Sequence, residues 1–356
     1  MTDFEKICDF QNLYAAHLKA RRGKCNNADV ICFEAHLAEN LVGMCQALRS
    51  GRYQMQPYLH FSIFEPKKRE IYAASYTDRV MLHCVCDEVL VPFLERRLIY
   101  DNAACRKNKG TLFALERLSG FLRQHYARYG NAGYALKADI SQYFANIDHE
   151  ILKTKLAKDI KDRDVRQLLF RVIDSYETEG LAGKGLPLGN QTSQCFAIYY
   201  LDQVDRFIKE KLRVKHYIRY MDDFILIHPD RDFLYDCLQQ IRMLLENELQ
   251  LHLNPKTQII PLRRGVTFLG WRFILTDGGK VVRKLKRDSR VRMKRKMRCV
   301  CQKWTNGDLE AKDVAAFYAS CMGHLKQGNT FYIQKELAER VTSARLSAEN
   351  SHREVM

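Results

Sequence analysis

The sequence predicts an α+β fold. Three observations carry that expectation: a hairpin with two carboxylates at its turn, a second hairpin with a basic tip, and helical periodicity over most of the remaining chain. In the first, Tyr217-Ile218-Arg219 and Phe224-Ile225-Leu226-Ile227 are apolar runs on either side of Tyr220-Met221-Asp222-Asp223. That layout reads as strand, tight turn, strand. In the second, Leu59 to Glu65 alternates, Pro66-Lys67-Lys68 interrupts, and Arg69-Glu70-Ile71-Tyr72-Ala73 resumes.

The other elements follow from spacing and breakers. Phe33, Leu37, Leu41, Met44 and Leu48 predict one helix over 27–50, closed by Gly51. Helical pattern covers 77–98 and 111–129, and a turn at Gly130–Gly133 leads into a short strand, Tyr134 to Ile140. Helices are expected over 149–173, a glycine-rich loop over 180–189, and helices over 192–212 and 233–249. Strands are expected at 257–260 and 266–275, and a helix after Val281 with Met293, Met297, Val300 and Trp304 on one face. The final dozen residues are polar and read as a frayed tail.

Composition narrows the class. The chain has 356 residues, 46% hydrophobic and 28% charged, which suits a soluble globular protein of two or three lobes. No apolar run is long enough to span a membrane, and the start lacks the basic and apolar regions of a secretory signal. Twelve cysteines are scattered without CxxC pairs, so reduced, packed thiols are expected rather than a zinc site. Net charge is +16, and Val281–Trp304 holds eleven Lys or Arg against one acid. So one-signed a segment points to a polyanionic partner, nucleic acid above all.

Chemistry enters with three elements taken together. A strand ends in Asp139, with the aromatic pair Tyr143-Phe144 just beyond it; a hairpin turn holds Asp222 and Asp223; a basic hairpin precedes both. Adjacent carboxylates repel unless a cation joins them, and hard oxygen donors suit Mg²⁺. Phosphoryl transfer from a nucleoside triphosphate needs two divalent ions about 4 Å apart on rigid acids. It also needs cations on the phosphates, which Lys68, Arg69 and Arg106 could supply. Each part has a plainer reading. Asp-Asp is common in turns, Asp139 could cap the next helix, and Lys67–Arg69 could be an ordinary exposed turn. His83, His149 and His228 read as structural.

The order of motifs resembles a reverse transcriptase, and more narrowly those of diversity-generating retroelements. It runs from Phe33 to Leu275 through Lys67-Lys68-Arg69-Glu70-Ile71, Asp78-Arg79-Val80, Ala103 to Thr111, Lys137-Ala138-Asp139-Ile140 with Phe144, Gly185 to Gln194, Arg219 to Asp223, Asn254-Pro255-Lys256-Thr257 and Phe268-Leu269-Gly270-Trp271. The resemblance implies a right-hand polymerase: an N-terminal helical extension (1–60), fingers (61–133), a ferredoxin-like palm (134–275, with fingers elements returning near 150–185), a basic helical thumb (276–340) and a tail (341–356).

It also implies roles. Asp139 and Asp222 would hold two Mg²⁺ ions, with Mn²⁺ able to substitute, Ile140 beside them and Asp223 in support. Lys68, Arg69, Arg106 and Gln194 would meet the incoming dNTP, and Phe144 would lie under its sugar as a steric gate, the plainer alternative being an aromatic of the core. Leu188, Gly189, Ser193 and Gln194 would form a template and fidelity loop. Leu188 and Gln194 stand where most reverse transcriptases have Gln and Pro, a pairing similar to the group that misincorporates opposite adenine. Phe268, Leu269 and Gly270 would grip the primer. Arg283, Lys284, Lys286, Arg287, Arg290, Arg292, Lys294 and Arg295 would track the backbone of the RNA/DNA duplex. Partners implied are template RNA, dNTPs and a small basic accessory protein, a pentamer in the family. A cytoplasmic enzyme of bacterial, archaeal or phage origin is expected, without an RNase H-like continuation. Its rivals are retron, group II intron or abortive-infection reverse transcriptases, and a catalytically silent nucleic-acid-binding protein on the same scaffold.

Overall fold

A computed structural model describes residues 1–64 and 67–355, with side chains through Ala348. Glu65 and Pro66, at the tip of the expected basic hairpin, lie outside the described residues. In chain order the elements begin with α1 (Asp3–Ile7), α2 (Phe10–Ala20), α3 (Ala28–Ala35), α4 (Leu37–Arg49), the hairpin β1 (Leu59–Ile63) and β2 (Arg69–Ala73), and α5 (Tyr76–Val85). A π-helical turn, Cys86–Leu90, joins α5 to α6 (Val91–Arg97), and α7 (Thr111–Tyr129) follows. Next come β3 (Tyr134–Ala138), α8 (Tyr143–Asn146), α9 (His149–Asp159), α10 (Arg163–Asp174), α11 (Gln191–Tyr200), α12 (Asp202–Arg206), β4 (His216–Tyr220), β5 (Asp223–His228) and α13 (Arg231–Leu249). The chain ends with β6 (Gln258–Pro261), β7 (Val266–Phe268), β8 (Trp271–Leu275), β9 (Val281–Leu285), α14 (Arg287–Thr305), α15 (Ala311–Leu325) and α16 (Phe331–Val355).

Short polar side chains start many of these helices by accepting from otherwise unpaired N–H groups. Thr2 and Glu5 form a capping box on α1, and Asp9, Asn27, Ser75, Asp148 and Asp162 cap α2, α3, α5, α9 and α10. Such a cap contributes about 1 kcal/mol. Amphipathic spacing then fixes the buried face. In α10 it is Val165, Leu168, Leu169, Val172 and Ile173.

Five elements differ from the sequence reading. The polar end expected to fray belongs to helix α16, which runs to Val355. The helix expected over 27–50 is two helices, broken at His36 (φ −125°, ψ 38°), where the Asn40 side chain donates to the freed Phe33 carbonyl at 3.0 Å. The helix over 192–212 breaks at Leu201 and continues as a π-helical turn, Phe207–Lys211. The strand over 266–275 is a hairpin, because Leu269 (φ 48°) and Gly270 (φ 83°) both take the left-handed conformation of a two-residue turn and pair Phe268 with Trp271. The segment after Val281 opens as strand β9 before helix α14 begins at Arg287.

The central sheet has the strand order β4-β5-β3-β6. Read along the chain, this is β-α-β-β-α-β with the ferredoxin-like arrangement, so the α+β class and the expected palm topology both hold.

The chain divides into two compact units. One comprises 1–110, 138–224 and 236–257; the other comprises 111–137, 225–235 and 258–356. The first includes α5 and α11, whose fully buried residues Val80, Met81, Phe196, Ala197 and Ile198 form part of its core. In the second, the antiparallel sheet β7-β8-β9 buries Phe268, Trp271 and Phe273, and α14 packs on α15 and α16. On α14, Met297 and Cys301 are buried while Met293, Val300 and Trp304 are half-buried, so the apolar stripe does face inward. The Trp271 ring lies 5.3 Å from that of His324, tilted by 41°, and a Cβ on Gly328 would lie 2.2 Å from the indole, so only glycine fits there. All twelve cysteines are free thiols. No helix among the described residues is long and apolar enough to cross a membrane.

Candidate active site

The catalytic carboxylates expected from sequence come together inside the first unit. Asp139 directly follows β3, and a short ladder holds it there. Its carbonyl accepts from the Asn254 backbone N–H at 2.7 Å, its carboxylate accepts from the Asn254 side-chain amide at 3.3 Å, and Ile140 bridges to Leu253. Asp222 lies in the two-residue turn between β4 and β5, and Asp223 opens β5. Met221 beside it has φ 56°, a conformation that costs a non-glycine residue about 1 kcal/mol or more.

Asp139 and Asp222 lie close enough for their carboxyl groups to act on one another. Burial, and then the neighbouring Asp139 carboxylate, push the Asp222 carboxyl up to about 6, with Arg219 pulling the other way. Two acids forced together in a partly desolvated site are the pattern of a functional centre.

A buried ion pair lies behind the turn. Arg219 and Asp205 are both fully buried and joined by two bonds, Nε to Oδ1 at 2.7 Å and Nη2 to Oδ2 at 2.6 Å. Burial opposes the charge on Arg219, but Asp205 outweighs it and raises its pKa. The same guanidinium donates to the Met221 carbonyl at 2.7 Å and the Ile198 carbonyl at 3.0 Å. Asp205 also accepts from the Tyr217 hydroxyl at 2.5 Å and from the Asn102 side-chain amide at 3.3 Å. Neither Asn254 nor Arg219 receives a role from the sequence, though both stand inside quoted motifs.

The other expected residues fall into distinct places. Phe144 sits half-exposed on the one-turn helix α8, entered through Gln142 (φ 45°) and braced edge-on by buried Tyr143, whose hydroxyl donates to Ala197. The loop at Gly189 is tied to strand β2 and its end: Tyr72 N–H donates to the Leu188 carbonyl at 3.2 Å and Ala74 N–H to the Asn190 side chain at 3.2 Å. Gly189 has φ 121°, and a Cβ there would press Ile71 at 3.3 Å. Gln194 is exposed and accepts from the Cys105 thiol at 3.2 Å, whereas Ser193 is buried within α11. Lys68 and Arg69 are exposed, Lys68 paired with Glu70 at 2.9 Å.

Arg106 is placed differently from the expectation. All three guanidinium nitrogens already donate within the protein, to Glu95, to the Ile99 carbonyl at 2.7 Å and to the Asn102 carbonyl. A triphosphate would have to displace those bonds. In the second unit, Phe268 is fully buried and leaves Leu269 and Gly270 as the half-exposed part of the turn expected to grip a primer. Arg283 and Lys284 lie on β9 rather than on the helix, and Arg283 is half-buried, its backbone exchanging two hydrogen bonds with Asn329. Lys286 immediately precedes α14, and Arg287, Arg290 and Arg295 are exposed along it, Arg292 and Lys294 half-exposed with Lys294 bonded to Glu336. His149 is structural, its ring nitrogen 2.7 Å from the Gly185 carbonyl.

The model of the reverse transcriptase (RNA-dependent DNA polymerase) family matches residues 66–273, more than half of the chain. The chain belongs to that family. Protein YkfC of Escherichia coli (strain K12) is 26% identical over 40% of this chain and 47% of its own length. The group II intron-encoded protein LtrA of Lactococcus lactis subsp. cremoris is 20% identical over 77% of this chain and 55% of its own. The chain thus spans about half the length of the curated relatives it matches. Among solved structures, telomerase from Candida albicans, in complex with a fragment of telomeric RNA, superposes with a TM-score of 0.55 at 14% identity, over 83% of this chain and 56% of that one. That likeness concerns the fold, as does the 0.52 of apo telomerase from Candida tropicalis at 12% identity, over 90% of this chain and 64% of that one.

Reverse transcriptases generally use divalent metal ions, and the donors present fit one. Asp139 and Asp222 are hard oxygen ligands pressed together against their mutual repulsion. Among the described residues no group of three or more His, Cys, Asp or Glu could enclose an ion. Two carboxylates completed by water and substrate phosphates match the coordination habit of Mg²⁺.

Proposed function

We propose that this chain is an RNA-directed DNA polymerase that copies a template RNA into cDNA, inaccurately opposite template adenine, for a diversity-generating retroelement. The observation that carries the polymerase reading is the meeting of the Asp139 and Asp222 carboxylates on a ferredoxin-like palm within the family-matched segment. Two Mg²⁺ ions bound there, or Mn²⁺ in their place, would supply Lewis acidity to the primer 3′-hydroxyl and neutralise charge on the triphosphate. Asp139 and Asp222, with the Ile140 carbonyl, would hold them, and Asp223 would support the pair. Asn254 keeps Asp139 in place. Lys68 and Arg69 offer exposed cations to the phosphates. Phe144 excludes a 2′-hydroxyl by bulk.

The error-prone reading is supported by Leu188 and Gln194, and by the bonds that tie the Leu188–Asn190 loop to the fingers hairpin. A loop of altered shape beside the nascent pair lowers base discrimination, and about 1.4 kcal/mol is a tenfold change in error rate. Template RNA, dNTPs, the RNA/DNA duplex on the thumb and a small basic accessory protein are the partners of this reading. The LtrA similarity favours a group II intron-type enzyme as the second reading. Insertion of each dNTP opposite each template base separates the two. Wrong insertion concentrated at adenine supports the retroelement, and uniform accuracy across all four bases, with accessory protein and template RNA supplied, rejects it.

A further inference from the structure

We infer that Arg219 is a positioning residue for the metal-binding turn: it clamps the Met221 carbonyl from behind and so fixes where Asp222 stands. The inference rests on the metal-dependent reading of Asp139 and Asp222 above. Its basis is geometric. Arg219 is the last buried residue of β4 before the turn, and one guanidinium serves four acceptors: both Asp205 oxygens, the Ile198 carbonyl on α11 and the Met221 carbonyl. The backbone is held as well, because Arg219 N–H donates to the Asp101 carbonyl at 3.1 Å and the Arg219 carbonyl accepts from Ala103 N–H at 3.0 Å. The turn is therefore anchored to α11, to α12 and to the segment 101–103.

Such an anchor answers a specific need. Met221 sits in a left-handed conformation, and Asp222 is pressed toward Asp139, so both strain and repulsion act to open the turn when no cation is present. A planar, bidentate guanidinium resists that opening in a way an ammonium cannot, since lysine offers a point charge on a flexible stem. Asp205 keeps the guanidinium oriented, and Tyr217 and Asn102 fix Asp205 in turn. Neither Arg219 nor Asp205 touches substrate; they act through Asp222.

The test uses two variants of the full chain. Arg219→Lys keeps the charge balance with Asp205. The double variant Arg219→Gln/Asp205→Asn removes both buried charges together, so no lone charge is left to unfold the core. Free Mn²⁺ is titrated with each protein and followed by electron paramagnetic resonance, without primer or nucleotide, beside a thermal melt. Both variants should melt cooperatively and bind Mn²⁺ on the order of tenfold more weakly than wild type. In incorporation assays their Mg²⁺ half-saturation should rise while the KM for dNTP stays within about twofold. Folded variants that bind Mn²⁺ as wild type does overturn the inference. So does loss of the cooperative melt in both, which would make the pair purely structural. Wild-type protein that binds Mn²⁺ through Asp222 but incorporates no nucleotide would fail the polymerase reading alone and leave the positioning role standing.

Discussion

The Asn254 side-chain amide donates to the Asp139 carboxylate at 3.3 Å while its backbone N–H binds the Asp139 carbonyl at 2.7 Å. One residue thus fixes both the main chain and the side chain of Asp139, the first of the two acids proposed to hold metal. Removing it with Asn254→Ala costs one hydrogen bond to a charged group, about 1.5–3 kcal/mol. Incorporation should fall roughly ten- to a hundredfold at fixed Mg²⁺, and steady-state kinetics with Mg²⁺ varied would show it; an unchanged kcat would remove Asn254 from the site.

Phe144 is half-exposed on α8 rather than packed in the core. Phe144→Ala and Phe144→Val should therefore leave the fold intact and admit ribonucleotides. The ratio of kcat/KM for dNTP over rNTP should drop about tenfold or more, and unchanged sugar selectivity would end the gate assignment.

On α14, Arg287, Arg290 and Arg295 stand exposed around a stripe anchored by Met297 and Cys301. Replacing Arg287, Arg290 and Arg292 with Ala should weaken duplex binding for every sequence alike. The slope of log K against log salt should shrink by roughly two to three, about 0.9 for each phosphate no longer neutralised. A fluorescence-anisotropy salt series checks it, and an unchanged slope would place the duplex elsewhere.

Burial lowers the pKa of His17, His83, His125 and His324. For His17, burial and the nearby Arg21 favour the neutral ring against the pull of Glu34. A histidine held below its unfolded pKa resists protonation only while folded, so the unfolded chain takes up the extra proton. Stability should be full above about pH 6.5 and decline as pH falls through and below it. Urea unfolding at pH 5, 6 and 7 measures this, and a stability that rises on acidification across that window would contradict the assignment.

Much of this architecture is readable from the chain because its local signals agree. The carboxylate hairpin, the β1–β2 hairpin and α7 lie within a residue or two of their expected places, each with a clean period and a turn at its end. What escapes is conformational detail that leaves the period intact. The stripe of Val30, Phe33, Leu41 and Met44 continues across the break at His36, since Asn40 supplies the bond that the helix gives up there. The five residues of β9 vanish into a charge run that suggests helix throughout. Long-range pairs are invisible in one dimension: nothing in the sequence joins Arg106 to Glu95, Arg219 to Asp205 or Asn254 to Asp139. The acids themselves stand out because their chemistry is unusual, whereas their supports are ordinary residues in ordinary numbers.

Nucleotide incorporation at the paired acids tests the polymerase reading most directly. Wild-type protein with its accessory protein should extend a DNA primer on an RNA template by single dNTPs in Mg²⁺. Asp222→Asn keeps the shape of the turn and removes the charge pressed against Asp139. It should lower the rate at least about a thousandfold while binding the same RNA. Retained synthesis in Asp222→Asn, or none by wild type under those conditions, would contradict the central claim.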